Sequence, residues 1–152
     1  SVVNIVFETD FALGEFFTEK TLKALLFSNK TYNIVYKSYK DCIKLKEMGF
    51  WFLNFEYIDW DMNPDWVGPS EDMIHESIDK AISEVVRLYK LKRTNNEKYN
   101  DYNSVMVELD KKYYDKRMNN HTLVKDYIIN PVYKDELLDF LFGDIVDKTE
   151  LL

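Results

Sequence analysis

Carboxylates at alternate positions are the densest chemistry in this chain. Asp59, Asp61 and Asn63 fall in the run Asp59-Trp60-Asp61-Met62-Asn63-Pro64-Asp65. Hard cations such as Ca²⁺ and Mg²⁺ bind clustered carboxylate and amide oxygens, so this run is a candidate cation loop. A second pair, Glu8 and Asp10, follows the first apolar segment. If the segments preceding the two acid pairs are neighbouring parallel strands, Glu8, Asp10, Asp59 and Asp61 converge at strand ends, where open α/β sheets carry their sites. Four carboxylates there would hold Mg²⁺ or Mn²⁺ for phosphoryl transfer or nucleic-acid hydrolysis. A third group, Glu71, His75 and Asp79, has the four-residue spacing that shares one helix face. It would need a further ligand to hold an ion, and a surface ladder of polar side chains is the plainer reading.

The Asp59 run resembles the opening of an EF-hand loop. Asp59, Asp61 and Asn63 match its first three ligand positions, while Pro64 replaces its glycine and Ser70 its closing glutamate. A solvated acidic turn ahead of a helix accounts for the same residues. The strand-end set resembles the layout of the Toprim domain, with Glu8 after the first strand and the Asp59-x-Asp61 pair after a later one. Thr9 stands where that family carries glycine. The resemblance implies a metal-dependent phosphoesterase or nuclease, with Mg²⁺ or Ca²⁺ as the cofactor class.

Other catalytic designs lack raw material. Four scattered glycines, Gly14, Gly49, Gly68 and Gly143, make no phosphate-cradling loop. No G-x-S-x-G elbow occurs. The two histidines, His75 and His121, leave little for a nucleophilic triad. Cys42 is the single cysteine; lysines nearby could lower its pKa, but a half-buried structural thiol is the simpler expectation. One cysteine forms no internal disulfide, and the expected compartment is the cytoplasm.

Aromatics crowd the acidic stretch. Trp51, Phe52, Phe55, Tyr57, Trp60 and Trp66 are followed or interleaved by Glu56, Asp59, Asp61, Asp65, Glu71 and Asp72, with no base between Phe55 and Asp72. Aromatic anchors rimmed by charge are what interface hot spots are built from. The formal net charge is -7, which removes any global attraction to nucleic acid or anionic membranes and favours a basic protein as partner. The leading expectation is therefore a non-catalytic protein-binding domain, an inhibitor, immunity or antagonist protein. Its surface would comprise Glu56, Asp59, Trp60, Asp61, Asp65, Trp66, Glu71 and Asp72, with no cofactor. The metal-dependent enzyme on Glu8, Asp10, Asp59 and Asp61 is the alternative. The basic run Arg87 to Lys98 reads as charge at a helix C-terminus.

Positioning these groups falls to a chain of 152 residues, 46% hydrophobic and 16% aromatic, enough for one globular domain over 1–152. No apolar run approaches the ~20 residues needed to span a bilayer. Val2 to Phe7, Thr31 to Lys37 and Phe50 to Trp60 read as strands, the last the strongest. Thr18 caps a helix bearing Leu22, Leu25 and Leu26, and Gly49 stops another begun at Tyr39. Ser70 caps a long helix with the stripe Ile74, Ile78, Ala81, Ile82, Val85 and Tyr89. A further helix runs from Tyr99 to Arg117 and ends at Asn119-Asn120; Leu123 to Ile129 is ambiguous. A last helix opens at Asn130-Pro131, carries Leu137, Leu138 and Leu141, and closes at Gly143. The fold class expected is α+β: a small three-stranded sheet in the N-terminal part, its order permitting parallel or mixed pairing, covered by three or four C-terminal helices.

Overall fold

The short β-branched segment at the start pairs with the next one in the chain. In the computed structural model, which describes residues 2–7, 19–63, 67–94 and 101–129, β1 (Val3–Phe7) lies parallel to β2 (Tyr32–Tyr36). Their register runs from Val3↔Tyr32 to Phe7↔Tyr36. A parallel pair needs a crossover, and α1 (Glu19–Leu26) lies within it. Leu22, Leu25 and Leu26 are buried, as their spacing requires. β2 is buried at Tyr32, Ile34 and Val35 and also at the polar Asn33, whose carboxamide donates to Ala24 O at 3.0 Å.

Ser38 starts α2 (Tyr39–Glu47) by accepting the Asp41 N–H at 3.2 Å. Gly49 ends it at φ +93°, a left-handed conformation that favours glycine. The Gly49 N–H donates to Lys46 O and the Phe50 N–H to Leu45 O, both at 2.9 Å, the paired bonds of a Schellman stop. A Cβ at Gly49 would also stand 3.0 Å from the Leu123 side chain.

The expected third strand is not formed. Among the described residues the sheet has two strands, and Leu53–Tyr57 is a 3-10 helix with extended residues on either side. Phe52, Leu53, Asn54 and Phe55 are all buried in succession, and the Phe55 N–H turns back onto Phe52 O at 2.8 Å. Asn54 supplies the physical reason. Its carboxamide accepts the Val35 N–H and donates to Val35 O, both at 3.0 Å. One side chain thus satisfies backbone groups on the β2 edge that an added strand would otherwise have paired.

α3 (Val67–Thr94) begins before Ser70, which is buried inside the helix instead of capping it. Pro69 is tolerated there because first-turn N–H groups have no intrahelical acceptor. Glu71 and Asp72 consequently lie beyond the first turn. Ile74, Ile78, Ala81 and Leu88 face the core. α4 (Asp101–Ile129) passes straight through Asn119-Asn120 and absorbs the ambiguous segment. Asn120 does not compete with its own helix because its carboxamide is engaged elsewhere, accepting the Trp51 N–H at 2.8 Å and donating to Trp51 O. Val105, Leu109 and Val124 join the core.

α4 also closes the open end of α1. Arg117, buried, donates to Ser28 O and Asn29 O, and His121 Nδ1 lies 2.6 Å from Leu26 O. These carbonyls have no intrahelical donors of their own. The result is mixed α and β structure, mostly helical. No helix among the described residues is long and apolar enough to cross a membrane. The Thr18 cap and the helix expected after Asn130 lie outside the described residues.

Candidate functional site

Where the 3-10 helix runs out, the backbone extends through Ile58 and turns. Asp59 Oδ1 accepts the Asp61 N–H at 3.0 Å, which fixes this turn locally. The Tyr39 hydroxyl, from the first turn of α2, donates to Asp59 O at 2.9 Å. Trp60 is held between two rings. Phe55 meets it edge-on at 5.0 Å, and Tyr39 stacks beside it at 6.2 Å. Trp60 is half-buried, while the Asp59 and Asp61 side chains flanking it are exposed. Burial, and then the charges of Asp59 and Asp61, push the Tyr39 phenol above its ordinary range. A cation already visits this corner: Lys46 Nζ stands 4.5 Å from the Trp60 ring centroid.

The described acids expected to form one surface go to four places. Asp59 and Asp61 share the Trp60 corner. Glu56 turns to α4, accepting the Trp51 Nε1–H at 3.0 Å and pairing with Lys116. Trp51 packs on Tyr113 of α4 at 5.2 Å. Glu71 goes to the end of β2, where its Oε1 accepts the Tyr36 hydroxyl at 3.3 Å. Asp72 is exposed on α3. Asp65 and Trp66 lie outside the described residues, as do Glu8 and Asp10 of the strand-end metal set. Asp59 and Asp61 follow a 3-10 helix and not a strand of the sheet, so the premise that brought the four carboxylates to adjacent strand ends does not hold. Among the described residues, no group of three or more His, Cys, Asp or Glu side chains is arranged to hold a metal ion. In the Glu71-His75-Asp79 ladder, His75 and Glu71 converge on Tyr36, while Asp79 is exposed.

Cys42 is fully buried, more so than the half-buried thiol expected. Its Sγ lies 3.7 Å from Lys37 O, and burial pushes the thiol far up, away from a nucleophile's range. Next to it lies an ion pair that sequence reading missed. Lys37 Nζ stands 3.4 Å from Asp41 Oδ2, with the two side chains 0% and 1% exposed. The contact is ionic without hydrogen-bond alignment at that oxygen. The i,i+4 spacing was the available signal, but nothing local announces that both charges are sealed from water. Asn54, Asn120 and Arg117 were missed for the same reason: each bonds the backbone of a distant segment.

No family model, no curated protein and no solved structure matches this chain.

Proposed function

We propose that this protein is a non-catalytic binding domain, of the inhibitor, immunity or antagonist kind, that engages a basic protein partner through the Asp59-Trp60-Asp61 corner. The observation that carries this reading is a half-exposed tryptophan held between Phe55 and Tyr39, with an exposed carboxylate on each side. An aromatic already fixed in place loses little side-chain entropy on binding, so more of its contact energy appears as affinity. The flanking acids raise the encounter rate with a basic surface and disfavour acidic ones. Lys46 over the Trp60 ring supports the choice of partner, because it occupies the place a partner's cation would take. Asp72, Asp65 and Trp66 are further candidates for the same surface.

The test compares partners recovered from native extract by wild type and by Asp59→Lys/Asp61→Lys/Trp60→Ala. Partners lost in the variant, with wild-type binding that weakens as salt rises, are the expected result. If every partner binds the variant as tightly as wild type, this surface is not the one used. A Lys46→Ala variant sharpens the test: removal of the internal cation is expected to tighten binding.

A further inference from the structure

A second constellation lies where β1 and β2 end. Phe7 and Tyr36 are the last residues of the two strands and are register partners. Their ring centroids are 6.0 Å apart, and the Phe7 side chain is turned out, 60% exposed. The Tyr36 ring is 4.9 Å from the His75 ring. The Tyr36 hydroxyl donates to Glu71 Oε1 at 3.3 Å and lies 3.0 Å from His75 Nε2, from which it accepts when that nitrogen carries a proton. Glu71 and His75 come from successive turns of α3. Three rings therefore form a row with a carboxylate at its edge.

We propose that this row binds an arginine side chain of a basic protein partner, with the guanidinium stacked on Phe7 and Tyr36 and paired with Glu71. The inference rests on the reading that the partner is basic, but it concerns a different surface from the Trp60 corner. Two observations support it. First, the fold already uses this combination internally. Tyr32, on the same face of β2 four residues earlier, donates its hydroxyl to Asp110 of α4. Arg117 lies 5.3 Å from the Tyr32 ring and donates to both Asp110 oxygens, at 3.2 and 3.3 Å. Tyr36 with Glu71 repeats that tyrosine-carboxylate pair on a neighbouring helix, and among the described residues Glu71 has no lysine or arginine partner. Second, an aromatic ring as exposed as Phe7 at the edge of such a pair offers a π face to solvent. A guanidinium is planar and weakly hydrated. It can stack on a ring while its N–H groups meet a carboxylate, which a lysine ammonium does less well.

The experiment uses the full chain and three short peptides, Gly-Arg-Gly, Gly-Lys-Gly and Gly-Glu-Gly, followed by NMR at the side chains of Phe7, Tyr36, His75 and Trp60. The arginine peptide is expected to shift the Phe7, Tyr36 and His75 signals saturably, more strongly than lysine and with no response to glutamate. Glu71→Gln, which keeps an acceptor for Tyr36, should weaken that binding about fivefold. Phe7→Ser should reduce it as well, and Asp59→Asn/Asp61→Asn should leave it unchanged. Circular dichroism of each variant checks that the fold is retained. Equal shifts from lysine and arginine peptides, or arginine binding unaltered in Glu71→Gln, would overturn the proposal. Shifts confined to Trp60 would also overturn it while leaving the corner reading intact. Shifts confined to the row would support it and count against the corner.

Discussion

α2 has charged and aromatic neighbours at two places, and water decides what each can do. At its start, Lys37 and Asp41 are sealed inside beside Cys42. On its outer side, Tyr39 and Lys46 meet Trp60, with Asp59 and Asp61 in solvent. The inner pair has lost its hydration and depends on its partner, so it serves the fold. The outer acids keep their hydration and remain available to another molecule. Breaking the inner pair should give the largest effect in the protein. Lys37→Met leaves a carboxylate buried and uncompensated, and should cost about 3–5 kcal/mol in urea unfolding. The double variant Lys37→Met/Asp41→Leu should recover most of that loss. If the single variant is nearly neutral, the pair is not sealed as described.

The two bridging asparagines come next in size. Asn54 holds the Val35 N–H and C=O, and Asn120 holds those of Trp51. Asn54→Ala strands two backbone groups in the core and should cost about 1–3 kcal/mol for each group left unpaired. Asn120→Ala should cost less, because Trp51 is only half-buried and water can replace the amide. Equal losses in denaturant titrations would mean that the two sites are equally dry.

Both asparagines mark where sequence reading stopped working. The strands at Val3 and Tyr32, the leucine face of α1 and the Gly49 stop were legible because each signal is local: β-branching, helical spacing, a residue free to adopt positive φ. The run Phe50 to Trp60 predicts a strand because it is aromatic and apolar. Its Asn54, buried amid aromatics and bonded to the Val35 backbone, takes the place of a strand's ladder. Asn119-Asn120 resembled a helix stop because asparagine usually competes for nearby backbone, and that logic fails when a distant backbone occupies the side chain. The candidate site was half legible. Asp59, Trp60 and Asp61 are together because they are adjacent. The acidic run looked free of bases because Lys46 and Lys116, which answer Trp60 and Glu56, come from other elements.

The outer corner should respond in the opposite way to the inner pair. Asp59→Asn/Asp61→Asn should shift stability by no more than about 0.5 kcal/mol, as exposed substitutions generally do. Asp59 keeps an oxygen for the Asp61 N–H as asparagine. Partner binding should nevertheless fall. A large loss of stability without loss of binding would reverse the roles assigned to the two places.

A third charge cluster, exposed and unconnected with either, gives the smallest effect. Glu84 accepts two hydrogen bonds from Arg87, at 2.9 and 3.1 Å, and lies 3.6 Å from Lys112 of α4. Arg87, chiefly through these hydrogen bonds, holds the Glu84 carboxyl below its ordinary range. A carboxyl whose pKa is lower in the folded than in the unfolded chain adds stability at neutral pH. That contribution fades as pH falls through the unfolded and then the folded value. Arg87→Ala should therefore lower the urea midpoint slightly at neutral pH, with the difference from wild type vanishing in acid. Screening should shrink it further in high salt, as it would not for the sealed pair of Lys37 and Asp41. If the difference between Arg87→Ala and wild type persists unchanged in acid, the side chain acts through its nonpolar contacts and not through the charge of Glu84.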